Sequence, residues 1–415
     1  MPPLESIIVS NWSDASFGLD VAHNFGQTTD ISDLISLKTF ANTEFCPRFL
    51  VDENDLENIG RGLRGKRVYL ISTSSPQHTR VELAMRNFLI ARAAKENGAE
   101  QVVMVEPDLF FSAQDRGPHT SKHPQVTGPK DRKKFDGQPF SARMYAEMLR
   151  ASGVDQVVTV HNHKPEVLEQ IYKDVFGANQ GIPPFVSLDI SHIVANFILH
   201  TVSVERNGRN LGFVAPDEGA AGFARRVKEF TGLEESVVVV LEKTRLGQRT
   251  VELSALGGVE QLREREVFIL DDMVRTGGTI AGAIRLLSEN PATRPANTYF
   301  YCTHTYISPE GRENLNSPHL TEFITTNTLP NVLNRDDQGR LRRKMVVLKI
   351  EKWIADALAH CLEKEQSPME RYGRTSVPFA DRHYTLDFSS KNVRRNDQNA
   401  GDSARQLVIP LRNPT

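Results

Sequence analysis

The segment Val267–Ile280 reads VFILDDMVRTGGTI and sets two carboxylates a few residues ahead of a paired-glycine loop. Asp271 and Asp272 can hold a Mg2+ ion or the hydroxyls of a sugar. Thr276 and Thr279 bring hydroxyls to the loop, and Gly277 and Gly278 leave its backbone N–H groups open to wrap a phosphate monoester. Chemistry on a sugar phosphate needs both halves at this separation. A solvated acidic turn would explain a DD pair alone, but not an apolar run, DD and TGGT in one register. The four residues Val267–Leu270 predict a buried parallel strand that ends at the aspartates. The loop Met273–Thr279 follows, then an amphipathic helix over Ile280–Ser288.

These groups must be held by a larger frame, and the rest of the chain alternates strand and helix. Arg67–Ser72 and Gln101–Glu106 flank a helical stretch around Val81–Glu96, and Gln156–Val160 follows a helix near Ala142–Ser152. A second series runs through Leu211–Ala215, a helix Gly219–Phe230, Ser236–Leu241, Val267–Leu270 and Thr298–Thr303. Strands spaced by helices predict parallel sheets with right-handed crossovers. Two such series predict two α/β domains divided near Pro165–Pro184, with ligands beyond the carboxyl ends of the strands. The polar stretch Gly117–Gly137, with its basic cluster Lys130–Lys134, reads as a mobile surface loop. Past Glu363 the periodicity fades, which leaves a tail that is either disordered or wrapped on a neighbour.

Bulk properties narrow the function classes. A length of 415 residues favours two domains, and a net charge of −2 argues against a nucleic-acid or membrane-surface partner. No apolar run reaches transmembrane length, and MPPLESIIVSNW lacks the basic start and apolar core of a signal peptide. Cys46, Cys302 and Cys361 lie far apart without CxxC spacing, which fits a reducing cytoplasm and three small buried apolar residues.

The ordered set of motifs resembles the ribose-phosphate pyrophosphokinases, the phosphoribosyl pyrophosphate synthetases, which have a type I phosphoribosyltransferase fold. Phe40, Asn42 and Glu44 match an F-x-N/D-x-E segment. Ala113-Gln114-Asp115-Arg116-Gly117 stands for RQDRK, and His161-Asn162-His163 for D-L-H. Ala215-Pro216-Asp217-Glu218-Gly219 stands for S-P-D-x-G, and Lys243-Thr244-Arg245 for the K-R-R catalytic loop. Order and approximate spacing hold from Phe40 to about Leu362. The resemblance implies two tandem phosphoribosyltransferase-like α/β domains with mainly parallel sheets: residues 1–166 on the ATP side, residues 167–362 with the ribose-phosphate loop, and an extension over 363–415.

The implied activity moves the β,γ-diphosphate of ATP to the anomeric hydroxyl of ribose 5-phosphate, releasing AMP. Lys243 and Arg245 would be catalytic, neutralising charge on the moving group. Phe40, Asn42, Glu44, Gln114, Asp115, Arg116 and His163 would bind ATP, the first three reaching the site of an adjacent subunit. Asp217, Asp271, Asp272, Arg275, Thr276, Gly277, Gly278 and Thr279 would bind the ribose phosphate. Mg2+ would be the cofactor, with His163, Asp217 and Asp271 near it. The implied assembly is a cytoplasmic, dimer-based homo-oligomer that extends up to a hexamer, with no nucleic-acid or membrane partner.

Several positions depart from the family pattern. Ala113 and Gly117 replace two cations, His161 replaces an aspartate, and Arg275 stands where the family usually has aspartate before T-x-G-T. A larger acceptor that contains ribose 5-phosphate, such as ADP-ribose, is one reading of this divergence. A non-catalytic regulatory homologue and a base-salvage phosphoribosyltransferase are others. Retention of Lys243, Arg245, Asp217, Asp271 and Asp272 speaks for catalysis.

Overall fold

The computed structural model describes residues 4–13, 15–120, 128–177, 182–245, 251–255, 257–360 and 384–388. The described residues fall into two compact units, one within residues 1–188 and 351–365, the other within 189–350 and 366–415.

The first unit is built on five parallel strands in the order β1 (Glu5–Ser10), β4 (Lys66–Ile71), β5 (Gln101–Val105), β6 (Gln156–Val160) and β7 (Phe185–Leu188). A separate antiparallel hairpin joins β2 (Ile35–Thr39) to β3 (Phe45–Phe49). Every residue of β5 and β6 is buried, as continuous Val-rich runs must be when helices cover both faces of a parallel sheet. The helix Arg80–Glu96 begins at a capping box in which Thr79 and Glu82 satisfy each other's backbone N–H groups. The helix Ser141–Ser152 stops at Gly153, whose left-handed φ of 100° closes its last turn.

The domain boundary differs from the sequence expectation of 166/167. Helix Pro165–Phe176 and β7 belong to the first unit because β7 completes the sheet against β6. Helix Glu351–His360 also returns to the first unit, against helix Ser16–Phe25, and the Leu358 carbonyl accepts a hydrogen bond from Tyr69 Oη at 3.1 Å.

Among its described residues the second unit carries an eight-stranded sheet. The strand order is β10 (Val251–Ala255), β9 (Val237–Arg245), β8 (Leu211–Ala215), β11 (Glu266–Val274), β12 (Asn297–Thr305), β13 (Glu322–Thr326), β14 (Met345–Lys349) and β15 (Thr385–Phe388). The six central strands are parallel, and only the outer pairs β10–β9 and β14–β15 are antiparallel. Two α/β units with mainly parallel sheets are therefore present, as the alternating pattern predicts. Residues 384–388, which include β15, are the described part of the 363–415 extension, and the rest of that segment lies outside the described residues. From β8 the chain steps to β9 on one side, then crosses back to β11 on the other. This reversal is a topological switch point, where parallel sheets open a crevice beyond their carboxyl ends. The first unit's sheet grows in one direction and has no such reversal.

Candidate active site

The switch point brings together the acidic groups singled out from the sequence. Asp217 follows β8 and caps helix Glu218–Thr231, its Oδ1 accepting a hydrogen bond from Ala220 N at 3.2 Å. Asp271 and Asp272 lie on β11, which runs to Val274 and so continues past the predicted strand end at Leu270. Its pairing with β8 stops at Ile269, while its pairing with β12 continues to Val274. The aspartates therefore project where β8 has ended.

Asp271 is half-buried and Asp272 buried. Asp271 Oδ1 accepts from Asp272 N at 2.9 Å, and Asp272 Oδ1 accepts from Met273 N at 2.8 Å. Burial holds the Asp271 carboxyl well above the usual carboxylate range. The charge of Asp272, its hydrogen bond and then the charge of Asp217 push the same way. Three carboxylates thus oppose one another in a partly dry space, which a cation or a row of sugar hydroxyls would relieve. This oxygen-only donor set suits Mg2+, which commonly takes one or two carboxylates and keeps water and substrate oxygens as its remaining ligands. Among the described residues no group of three or more His, Cys, Asp or Glu is gathered to hold a metal by itself. Of the set expected near Mg2+, His163 belongs to the first unit, Asp217 and Asp271 to the second.

The phosphate half of the site follows directly. Helix Gly278–Glu289 starts two residues earlier than expected, at a left-handed Gly277 that offers no side-chain acceptor to the first-turn N–H groups. Those donors, with the side chains of Thr276 and Thr279, form an anion cradle at the end of a three-turn helix. Arg275 and Thr276 are exposed.

Sequence reasoning missed the brace beneath this loop. Asn314 Nδ2 donates to Thr276 O at 2.7 Å, Ser308 N to Arg275 O at 3.2 Å, and Tyr306 N to Val274 O at 2.9 Å. Gly311 lies so close that a Cβ there would stand 2.6 Å from Arg275 O. The SPEGRENL run signals a helix start at Ser308 and Pro309, but nothing local ties it to the loop. Gly311→Ala should therefore push the loop aside, at the ~1–3 kcal/mol typical of overpacking. A thermal melt should fall by ~2–4 °C per kcal/mol, and affinity for a phosphate monoester at this loop should weaken. Unchanged values of both would show that the loop yields freely.

Lys243 and Arg245 are not on a loop after the strand. β9 runs through Arg245, and the backbone pairs Lys243 with Leu253 and Arg245 with Val251. Their side chains lie outside what is described, as do residues 246–250 between the two strands.

In the first unit, Phe40, Asn42 and Glu44 form the tip of the β2–β3 hairpin. Phe40 N donates to Glu44 O at 2.9 Å, and Asn42 Oδ1 accepts from Glu44 N at 3.2 Å. Phe40 is 44 % exposed, with Lys38 Nζ 5.0 Å from its ring centre. It is a presented aromatic face and not a core residue of this unit. Gln114 brackets the next helix, its Oε1 accepting from Ser141 Oγ at 2.7 Å and its carbonyl from Ala142 N at 3.1 Å. Asp115 is buried, and Arg116 lies over the Phe135 ring at 4.8 Å. Gly117 stands where a Cβ would meet Phe140 Cβ at 2.9 Å, so packing accounts for the glycine. His163 is exposed just beyond β6. Residues 121–127 of the expected mobile loop lie outside the described residues; Pro129–Lys133 is a short helix. Cys302 is buried as expected, but Cys46 is exposed on β3, and Cys361 lies outside the described residues.

No protein-family model matches the chain. It is similar to the ribose-phosphate pyrophosphokinase of Methanopyrus kandleri, 29% identical over 281 residues, covering 68% of this chain and 82% of that one. The ribose-phosphate pyrophosphokinase of Ralstonia nicotianae is 27% identical over 300 residues, covering 71% and 81%. The phosphoribosylpyrophosphate synthetase structure from Mycobacterium smegmatis superposes with a TM-score of 0.63 over 86% of this chain and 98% of its own, at 21% identity, and shows the same fold. Among the described residues no helix is long and apolar enough to cross a membrane.

Proposed function

We propose that this chain, a divergent relative of the ribose-phosphate pyrophosphokinases, is an ATP-dependent diphosphokinase that makes phosphoribosyl pyrophosphate and AMP. The observation that carries the reading is the meeting of Asp217, Asp271 and Asp272 with the uncapped N-terminus of helix Gly278–Glu289 at one switch point. The cradle binds the acceptor's 5-phosphate, and Asp271 and Asp272 orient the ring hydroxyls. The anomeric oxygen then bonds to the β-phosphorus of ATP and releases its hydroxyl proton to water, the bond from that phosphorus to the α–β bridging oxygen breaks, and AMP departs with that oxygen. Little covalent work falls to the protein; positioning and charge neutralisation supply the rate. Lys243 and Arg245 neutralise the moving diphosphoryl group. Phe40 and the hairpin tip take adenine, with Gln114, Asp115, Arg116 and His163 toward the phosphates. Asp271 and Asp217 would supply one or two carboxylates to Mg2+, with His163 near it and water completing its shell, and the ion when bound would supply positive charge to phosphate oxygens. A cytoplasmic homo-oligomer is part of the same proposal.

The test is AMP release from ATP with Mg2+ and ribose 5-phosphate. AMP formed only when acceptor is present supports the reading. No AMP with any ribose phosphate would leave a non-catalytic regulatory homologue.

A second acceptor is favoured by one feature. Arg275 is exposed in the phosphate loop, its guanidinium 5.9 Å from the Tyr306 ring centre, and it presents a permanent cation where a larger acceptor would carry further phosphate. Arg275→Asp should then shift preference from ADP-ribose toward ribose 5-phosphate by on the order of tenfold, the size of one charge-assisted contact. An unchanged ratio of kcat/KM between the two acceptors would eliminate the extended-acceptor reading.

A further inference from the structure

A carboxylate that none of the motifs includes lies fully buried at the carboxyl end of β5. Glu106 Oε1 accepts from Ser72 Oγ at 2.5 Å, Asn87 Nδ2 at 3.2 Å and Tyr145 Oη at 3.1 Å. Its Oε2 accepts from Phe110 N at 2.9 Å and also faces Tyr145 Oη at 3.2 Å. The Asn87 amide reaches Ser72 Oγ as well, at 2.8 Å. These contacts close a ring through the proposed ATP segment. Phe110 N fixes the turn at Pro107–Phe111, in which Phe111 holds a left-handed φ of 61°. Phe111 O accepts from Gln114 N at 2.9 Å; Gln114 in turn brackets Ser141 and Ala142 at the start of the helix that carries Tyr145 back to Glu106. A non-glycine residue in that backbone region is held only where its surroundings over-determine it.

We propose that Glu106 is a positioning residue whose protonation state sets the Pro107–Arg116 turn and, through it, use of the nucleotide. The proposal rests on the reading that Gln114–Arg116 serve ATP. Four groups donate to the carboxylate, so the ionised form completes the network. A protonated Glu106 adds a fifth donor; Asn87 Oδ1, buried beside it without a partner, can accept that proton only if the amide turns over and Nδ2 leaves the carboxylate, and a proton on the Oε2 side displaces Phe110 N instead.

The groups facing Glu106 leave its charge poorly compensated. Arg80, at the start of helix Arg80–Glu96, acts on it at a distance, because its guanidinium is paired with Asp108 and lies over the Phe110 ring at 5.0 Å. Tyr145 and Tyr172 face it from the helices Ser141–Ser152 and Pro165–Phe176, and burial holds both phenols neutral. Burial pushes the Glu106 carboxyl up to about 7, and the hydrogen bonds from Ser72, Phe110 and Tyr145 restrain that rise. The folded unit therefore holds a proton that the unfolded chain releases near 4.5, and this group's contribution to stability declines as pH rises from there through about 7.

The experiment compares the wild-type chain with Glu106→Gln, Glu106→Asp and Tyr145→Phe between about pH 6 and pH 9. One readout is KM and kcat for Mg·ATP; the other is hydrogen exchange of the Pro107–Arg116 amides at a single alkaline pH. In the wild type, KM for ATP should rise several-fold as pH falls through about 7 while kcat moves less. Glu106→Gln, a fixed neutral form, should hold the acid-side KM at every pH and exchange several-fold faster across the turn. Tyr145→Phe removes a donor to the ionised form and should move the inflection to higher pH, and Glu106→Asp should restore a pH-dependent KM. Exchange requires no turnover, so it tests the proposal even if the chain releases no AMP. A Glu106→Gln variant with wild-type exchange overturns the positioning role. So does one with the wild-type KM profile, because that profile would then belong to the nucleotide.

Discussion

Lys243→Ala is expected to lower turnover by on the order of 100–1,000-fold while leaving ATP affinity within a few-fold of wild type. In the proposed reaction, charge on the transferred diphosphoryl group shifts most at the transition state, so a cation aimed at it would bind the transition state more tightly than the ground state. Preorganised contacts of that kind are worth about 3–4 kcal/mol each. Lys243 and Arg245 lie at the far end of β9, on the same side of β8 as the step to β10. Pairing with β10 places Lys243 two residues from Arg245 along one strand. Single-turnover kinetics with bound ATP would separate the chemical step from binding. Near-normal single-turnover rates in the variant would remove Lys243 from the catalytic role, and Arg245→Ala would then be the next test.

Asp271→Asn is expected to lower kcat/KM for ribose 5-phosphate by on the order of 10–100-fold, the loss of a charge-assisted hydrogen bond. Folding should not suffer. Burial, Asp272 and Asp217 all oppose the Asp271 charge, so the native state binds a proton that the unfolded chain gives up in the ordinary carboxylate range. The wild-type chain therefore loses stability as pH rises above that range, up to the raised native value. The neutral variant escapes this loss. Its melting temperature without divalent cation should exceed that of the wild type, by an amount that grows with pH, at ~2–4 °C per kcal/mol of relieved repulsion. Adding Mg2+ should narrow the gap, because a cation between the carboxylates relieves the wild type and does less for the variant. A sharp fall in melting temperature with unchanged acceptor use would mean that the pair is structural.

Parts of this molecule are local properties of the chain and legible without coordinates. The apolar runs Val267–Leu270 and Gln101–Glu106 alternate with helices because a strand buried on both faces needs continuous hydrophobicity, and that pattern is written residue by residue. The phosphate loop is equally local: a glycine N-cap between a strand and a helix offers the first turn no side-chain acceptor wherever the fold places it. Other features depend on residues far apart in sequence, and only the tertiary structure decides them. Asp217 and Asp271 influence each other because the sheet reverses between β8 and β11. Asn314 and Gly311 support a loop some 35 residues away, because helix Pro309–Leu315 folds beneath it. Helix Glu351–His360 crosses back to the first unit, although it follows directly on a strand of the second. Glu106 reads in sequence as the polar end of a strand. Its surroundings come from the end of β4, from two helices and from a turn with left-handed backbone, and they bury it as a carboxyl group facing four donors. Burial and charge are sums over neighbours in space, and a sequence pattern specifies only the neighbours along the chain.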